Sequence, residues 1–452
     1  MKARCVRLKD VFSSMRFDGG YHNADVNVYD KVIRKHSQHT LDYYCSDIFT
    51  SGRTKRVYTE LEYGYPFLSN ADVVSANPFQ SCKYSSKKYG FDPNAVLKEG
   101  MILTGRVGAI GQTAFVPAFI EKAKAMGSDN IIRIVVKPSY KNGFIYAYLA
   151  SKMGNLAFWK LATGGVQPFI TDAMVGKLPI PFFPESFQAE VDDLVQESAR
   201  LREEANDKLE EAIEYFNEHY PIKDGIQQYF YKKVSELKYG FAAYNNNLEV
   251  DDYIRSYSSN SFIVGDEADE CFAPPMFKHI YLSKDNGYPF MTGSELQRFN
   301  LRYYRWLSPR GVKDISDYVV HKGTLLLYKS GTTDGGILGN VFIADNQLDG
   351  CCLSDHVIRV VFKDLKKAYW TYAFLKSNGG KRILIRLATG TMIPFITPEK
   401  LSDIPIPNPD DHYEEIIQEI EEYIDKNSRA KAAENKAITM VEDEIEKWNN
   451  AN

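Results

Sequence analysis

Two rhythms of apolar and polar positions alternate along the 452 residues. Short runs rich in β-branched residues at 101–104, 131–136, 324–328 and 357–362 are bounded by Gly, Pro, Asn or Asp and predict strands. The stretches 144–152 and 366–375 predict short helices. The period then lengthens twice. Over 188–218, Val191, Leu194, Ser198, Leu201, Ala205, Leu209, Ala212 and Phe216 recur close to every 3.5 residues. Over 412–448, Ile417, Ile420, Ile424, Ile438, Val441, Ile445 and Trp448 do the same. Such spacing predicts two long helices with coiled-coil seams. The first seam is thin at Ser198 and Ala205, and the second is interrupted at Asn427, Lys431 and Glu434. Neither helix is expected to stand alone, so each is predicted to bury its stripe against the other, antiparallel. Pro179-Ile180-Pro181 and Pro405-Ile406-Pro407 precede them, and proline continues neither a helix nor a central strand. These segments predict extended connectors leaving each globular part.

The chain repeats itself. Gly64-Tyr65-Pro66-Phe67-Leu68 recurs as Gly287-Tyr288-Pro289-Phe290-Met291, an offset that also pairs Gly100 with Gly323, Tyr21 with Tyr244 and Arg106 with Lys329. After a short insertion, Ser128-Asp129-Asn130-Ile131-Ile132-Arg133 matches Ser354-Asp355-His356-Val357-Ile358-Arg359. The same register carries Leu161–Ile170 onto Leu387–Ile396 and Leu178–Pro181 onto Ile404–Pro407. Ordered blocks in nearly constant register mark a duplication. The chain therefore reads as globule, helix, globule, helix, with boundaries at 1–182, 183–220, 221–408 and 409–452. The predicted class is α+β: two tandem mixed-sheet domains with short helices, separated by two long helices in an antiparallel coiled coil of pseudo-two-fold symmetry. The halves diverge at 22–62 against 245–285 and at 106–127 against 329–353, as expected of one fold whose loops bind different things.

Charge sharpens this picture. Residues 188–218 carry −8 and 412–448 carry −6 of a chain total of −4, so the remainder is +10. The acidic runs read as solvated helix faces, and the basic remainder suits a surface that meets phosphates. The six cysteines show no paired spacing, so neither a zinc site nor a disulfide framework is expected, and a cytoplasmic setting fits. No apolar run approaches the roughly 20 residues of a membrane span.

The chain carries no recognisable enzymatic motif. There is no G-x-x-x-x-G-K-[ST] loop, and Gly105–Gly111 lacks the dinucleotide spacing. Asn77-Pro78-Phe79 lacks the second proline of an amino-methyltransferase motif. The eight histidines form no metal or nucleophile pattern. The expectation is a non-catalytic chain without a cofactor of its own. Residue type then nominates contacts to DNA. The first half offers Arg53, Lys55, Arg56, Lys83, Lys87, Lys88, Arg106, Thr163 and Gln167. The second offers Arg302, Arg305, Arg310, Lys329, Ser330, Thr332, Thr333 and Thr389. Arg and Lys suit phosphates and guanine edges, and the threonines lie by glycine-containing turns. On these residues alone a coiled-coil scaffold, or an adapter that binds proteins through paired β-rich domains, stays open.

The ordered set, Leu161–Ile170 with Leu178–Pro181, repeated at Leu387–Ile396 with Ile404–Pro407, resembles the specificity subunits of type I restriction-modification systems. The Gly100–Gly111 and Gly323–Gly339 blocks add to it. The likeness spans nearly the whole chain. It implies two target recognition domains, each reading half of an asymmetric, interrupted site on double-stranded DNA, with the helices setting the gap. It also implies docking of two methyltransferase subunits, which would carry S-adenosylmethionine, and a motor-nuclease subunit for restriction. Lys329 in place of Arg106, and a longer second loop, depart from a common contact geometry.

Overall fold

The computed structural model describes residues 5–17, 19, 21–22, 24–53, 55–164, 166–223, 231–237, 243–284, 286–301, 305–332, 337–390 and 392–450. It divides into two units, Met1–Glu203 with Arg429–Asn452, and Glu204–Ser428.

In the first unit, helix α1 (Ala24–Lys35) leads into ten strands: β1 (Ser37–Thr40), β2 (Cys45–Thr50), β3 (Tyr58–Thr59), β4 (Gly64–Leu68), β5 (Lys83–Ser86), β6 (Ile102–Gly105), β7 (Thr113–Phe115), β8 (Met126–Gly127), β9 (Ile131–Val136) and β10 (Pro179–Pro181). They form a large sheet in the order β2-β9-β6-β7, a small sheet β3-β5-β4-β8, and the pair β1-β10. Helices α2 (Asn142–Ala150) and α3 (Lys152–Leu161) follow β9, and α4 (Glu185–His219) begins in this unit. Strand β9, Ile-Ile-Arg-Ile-Val-Val, reads as continuously apolar because both of its faces are covered. Ile132 and Ile134 join the core that holds Phe144, Ile145 and Phe158, while Ile131 packs with Leu68, Leu97 and Leu103 on the other side. The short helix expected at 144–152 breaks at Ser151, whose hydroxyl accepts the Gly154 amide at 3.1 Å and starts α3.

The second unit repeats this plan strand for strand. After α5 (Leu248–Tyr257) come β11 (Ser261–Ile263), β12 (Ala268–Phe272), β13 (Tyr281–Leu282), β14 (Tyr288–Met291), β15 (Trp306–Leu307), β16 (Leu325–Tyr328), β17 (Val341–Ile343), β18 (Cys352–Leu353), β19 (Val357–Phe362) and β20 (Pro405–Pro407). The sheets are β12-β19-β16-β17, β13-β15-β14-β18 and β11-β20. Helices α6 (Leu365–Lys376) and α7 (Asn378–Arg386) repeat α2 and α3, with Ser377 accepting from Gly380 in the manner of Ser151. The divergent stretches 22–62 and 245–285 thus share one order of elements, which their sequences do not reveal.

One expectation is corrected here. The Pro-Ile-Pro segments are not merely connectors: each is an edge strand, pairing antiparallel with β1 or β11. A two-stranded sheet tolerates proline because each strand has a free edge on which no amide is required.

The second long helix, α8 (Tyr413–Asn450), contributes one part to each unit. In the first unit Val191 and Val195 of α4 share a core with Ala437, Ile438, Val441 and Ile445. Phe183, just before α4, stacks on Trp448 near the end of α8, whereas Arg202 lies beside Glu434. In the second unit Leu209, Ala212 and Phe216 share a core with Ile417, Ile420 and Ile424. Lys426 pairs with Glu204 at 2.7 Å, and Tyr215 donates to Asp410. Both sets of contacts run antiparallel. The seam is thin in sequence because the globular core supplies part of its partners: Gly143 of α2 comes so close to α4 that its amide donates to Asp192 at 2.7 Å. Each fully buried Ile, Leu or Val contributes roughly 1.5–3 kcal/mol. Among the described residues no helix is long and apolar enough to cross a membrane.

Candidate functional site

Each copy carries two surfaces on which the nominated residues gather. The first lies where β6 or β16 ends. In copy one, Thr163 and Phe169 close a turn by reciprocal backbone bonds of 3.0 and 2.8 Å, Phe169 bridges to Val107, and the Ile170 amide donates to the Arg106 carbonyl at 3.0 Å. Copy two reproduces this: Thr389 and Phe395 exchange bonds of 2.9 and 2.8 Å, Phe395 bridges to Ser330, and Ile396 donates to Lys329 at 2.8 Å. The exchange of arginine for lysine therefore leaves the backbone geometry unchanged. Gly164 and Gly390 sit at φ +98° and +101°, and a Cβ on Gly164 would lie 2.9 Å from the Gln167 carbonyl oxygen, so glycine is required. The turn thrusts Val166 and Gln167 into solvent in copy one, Met392 and Ile393 in copy two. The hydroxyls of Thr163 and Thr389 face inward to the carbonyls of Phe169 and Phe395 at 3.5 and 3.4 Å. Thr332 is exposed nearby, its carbonyl accepting from Leu338 at 3.3 Å.

The second surface is the small sheet. In copy one, lysine ammonium groups stand over aromatic rings: Lys83 over Tyr58 at 5.0 Å, Lys87 over Tyr65 at 5.5 Å, and Lys88 over Tyr89 at 5.1 Å. Lys87 also donates to the Glu62 carbonyl at 2.8 Å. Lys124, 5.7 Å from the Tyr65 ring, joins them from a residue not nominated by sequence. The loop between β2 and β3 adds exposed Arg53, Lys55 and Arg56. Each lysine is held by a ring at little desolvation cost while its charge stays in water.

Copy two differs. Arg305 lies between Tyr281 and Phe290, at 6.0 and 5.6 Å, and is paired with Glu295, which also caps the turn at Thr292. Arg310 projects from the short turn Pro309–Gly311 and is exposed. Arg302 and Thr333 lie outside the described residues. Among the described residues the same architecture thus presents a lysine-rich face in one copy and a sparser, paired one in the other.

Two residues of another kind escape sequence reasoning. Arg133 and Arg359 are buried at the middle of β9 and β19. Arg133 donates to the carbonyls of Ile131, Ala95 and Gly127 at 2.9, 3.2 and 2.6 Å. Arg359 donates to Ser354, Val357, Tyr318 and Leu353. Gly127 belongs to β8 and Leu353 to β18, so each guanidinium ties the large sheet to the small one. Burial pulls both below the usual arginine range, to about 10, so they remain charged at neutral pH. Their signal was an arginine in the same place of two otherwise apolar strands.

Among the described residues no three His, Cys, Asp or Glu side chains converge as a metal site. Residues 272–440 match the family model described as the type I restriction modification DNA specificity domain. No curated protein matches the chain. Among solved structures it is similar to the S subunit of a type I restriction-modification system from M. genitalium, at 13% identity over 89% of this chain and 94% of that one, with a TM-score of 0.31. It is also similar to the HsdS subunit from Thermoanaerobacter tengcongensis, at 16% identity over 90% and 95%, with a TM-score of 0.28. The matched segment covers most of the second of two copies of one strand order, and over those residues the chain is similar to the DNA specificity domain of type I restriction-modification systems.

Proposed function

We propose that each copy reads one half of an asymmetric, interrupted target on double-stranded DNA, and that the two long helices set the spacer and dock two methyltransferase subunits. Residues 1–182 and 221–408 are then the reading domains, and 183–220 and 409–452 the spacers. The chain acts with the modification and restriction subunits of its system and contributes recognition to their chemistry. S-adenosylmethionine belongs to the methyltransferase partner in this reading. The nominated side chains serve as contacts to phosphates and bases, with Lys83, Lys87, Lys88 and Arg106 in copy one and Arg310 and Lys329 in copy two.

One observation carries the proposal: a single architecture of three sheets occurs twice, with matching backbone turns and unlike exposed side chains. Shared folds with different surface chemistry are suited to two different base sequences. The test is an exchange. Replacing residues 1–182 by the corresponding domain of another specificity subunit, in the assembled complex, should change one half of the methylated sequence in genomic DNA and leave the other half intact. Change in both halves, or in neither, refutes the division of labour.

A further inference from the structure

The loop between β2 and β3 holds two arginines on one carboxylate. Arg53 Nε lies 3.4 Å from Asp129 Oδ2, and an Arg56 terminal nitrogen lies 2.9 Å from Oδ1. The Arg53 side chain is 93% exposed and that of Asp129 only 12%. Asp129 itself is fixed, because the turn between β8 and β9 is bonded on both sides. The Ser128 amide donates to Leu68 at 2.9 Å, and the Arg106 amide to Asn130 at 2.8 Å. Arg56 is steadied further by the Phe67 ring, 5.9 Å away.

An exposed ion pair of this kind stabilises a fold by at most about 1 kcal/mol. Its effect is on direction. Nε is the Arg53 atom nearest Asp129, and among the described residues no hydrogen bond engages the terminal nitrogens of this 93% exposed side chain. Two coplanar N–H donors match the O6 and N7 acceptors of guanine in the major groove. Holding the side chain beforehand reduces the rotamer freedom lost on contact.

Resting on the two-reader assignment above, we propose that Arg53 reads a guanine in the half-target of the first copy and that Asp129 is its positioning residue. Among the described residues the second copy lacks the device. Along the chain Met276 takes the place of Arg53, 86% exposed, and His279 that of Arg56. Asp355, the counterpart of Asp129, has His356 at 3.9 Å instead of an arginine pair. The two half-targets therefore differ at this position for a stated chemical reason.

The test uses the complete complex with its methyltransferase partner and reads methylated sites across genomic DNA. R53K keeps the charge and loses the planar fork. Expected is a loss of preference for guanine, by about tenfold to a hundredfold, at one position of one half-target. D129N should weaken the same position by less, D129E should restore part of it, and D129N added to R53A should change nothing more. The other half-target stays unchanged throughout. The proposal is overturned if R53K leaves base preference intact, if the relaxed base is not guanine, or if methylation falls equally at all sites. It is also overturned if D129N acts as strongly without Arg53 as with it. Should D129N fail to fold in a thermal melt, R53K and R53A decide alone. The domain exchange described above separates this failure from that of the parent reading: a half-target that follows residues 1–182 while ignoring Arg53 sinks only the guanine contact.

Discussion

Arg133 and Arg359 show how one residue type serves opposite ends. Both are charged, yet neither is available to DNA, because every described bond they make is to a backbone carbonyl within their own copy. Replacing Arg359 by Met should leave those carbonyls short of donors and cost roughly 2–4 kcal/mol. Urea unfolding of R359M should show the loss as a lower midpoint, and R359K should recover little, since one ammonium cannot span the same acceptors. An unchanged midpoint would mean that the link between the sheets is dispensable. The exposed cations behave differently: Lys83, Lys88 and Arg53 stand over rings or beside a carboxylate with their charge in water.

At the scale of elements, the helix pair carries a titrating contact. Glu419 of α8 is pushed up to about 7 from 4.5, first by burial and then by Glu211, with Lys208 opposing and Glu415 and Glu422 adding. The folded form holds a proton that the unfolded chain releases above pH 4.5, so stability falls as pH rises from 4.5 to about 7. Thermal melts of the wild-type protein should therefore show a higher transition at pH 5 than at pH 8 for this contribution. E419Q should reduce the difference, because the amide mimics the protonated acid. A difference unchanged in E419Q would place the titration elsewhere. The polar interruptions of the seam are likewise buried: Lys431 and Glu434 in the first unit, Asn427 in the second. Glu434 accepts from the Tyr146 hydroxyl at 2.7 Å, so the interruption is a place where the globular domain meets the helix.

For the whole molecule the helices are proposed as a ruler. Adding four residues to both lengthens each by about 6 Å, close to two base pairs of DNA. The methylated target should then keep both half-sequences and gain about two base pairs between them. Changed half-sequences with a constant gap would show that the helices do not set the spacing. The domain exchange and the helix insertion thus act on separate features of one target, as two readers on a spacer require.

The sequence by itself determined what depends on local rhythm and on repetition. The seam positions of α4 and α8, the strands around Leu103, Ile132, Leu326 and Ile358, and the duplication all follow from spacing within a few turns or from blocks repeated in register. Tertiary structure decided what depends on partners distant along the chain. Pro179–Pro181 became an edge strand because β1, some 140 residues earlier, lies beside it. Arg133 became a tie between sheets because β8 and Ala95 bring their carbonyls to it. Asp129 and Arg53 meet only when the turn before β9 closes on the loop after β2. Spacing records which side of an element is apolar; it does not record which remote carbonyl or carboxylate will meet a charged side chain, and that meeting separates a buried arginine from one free to reach a base.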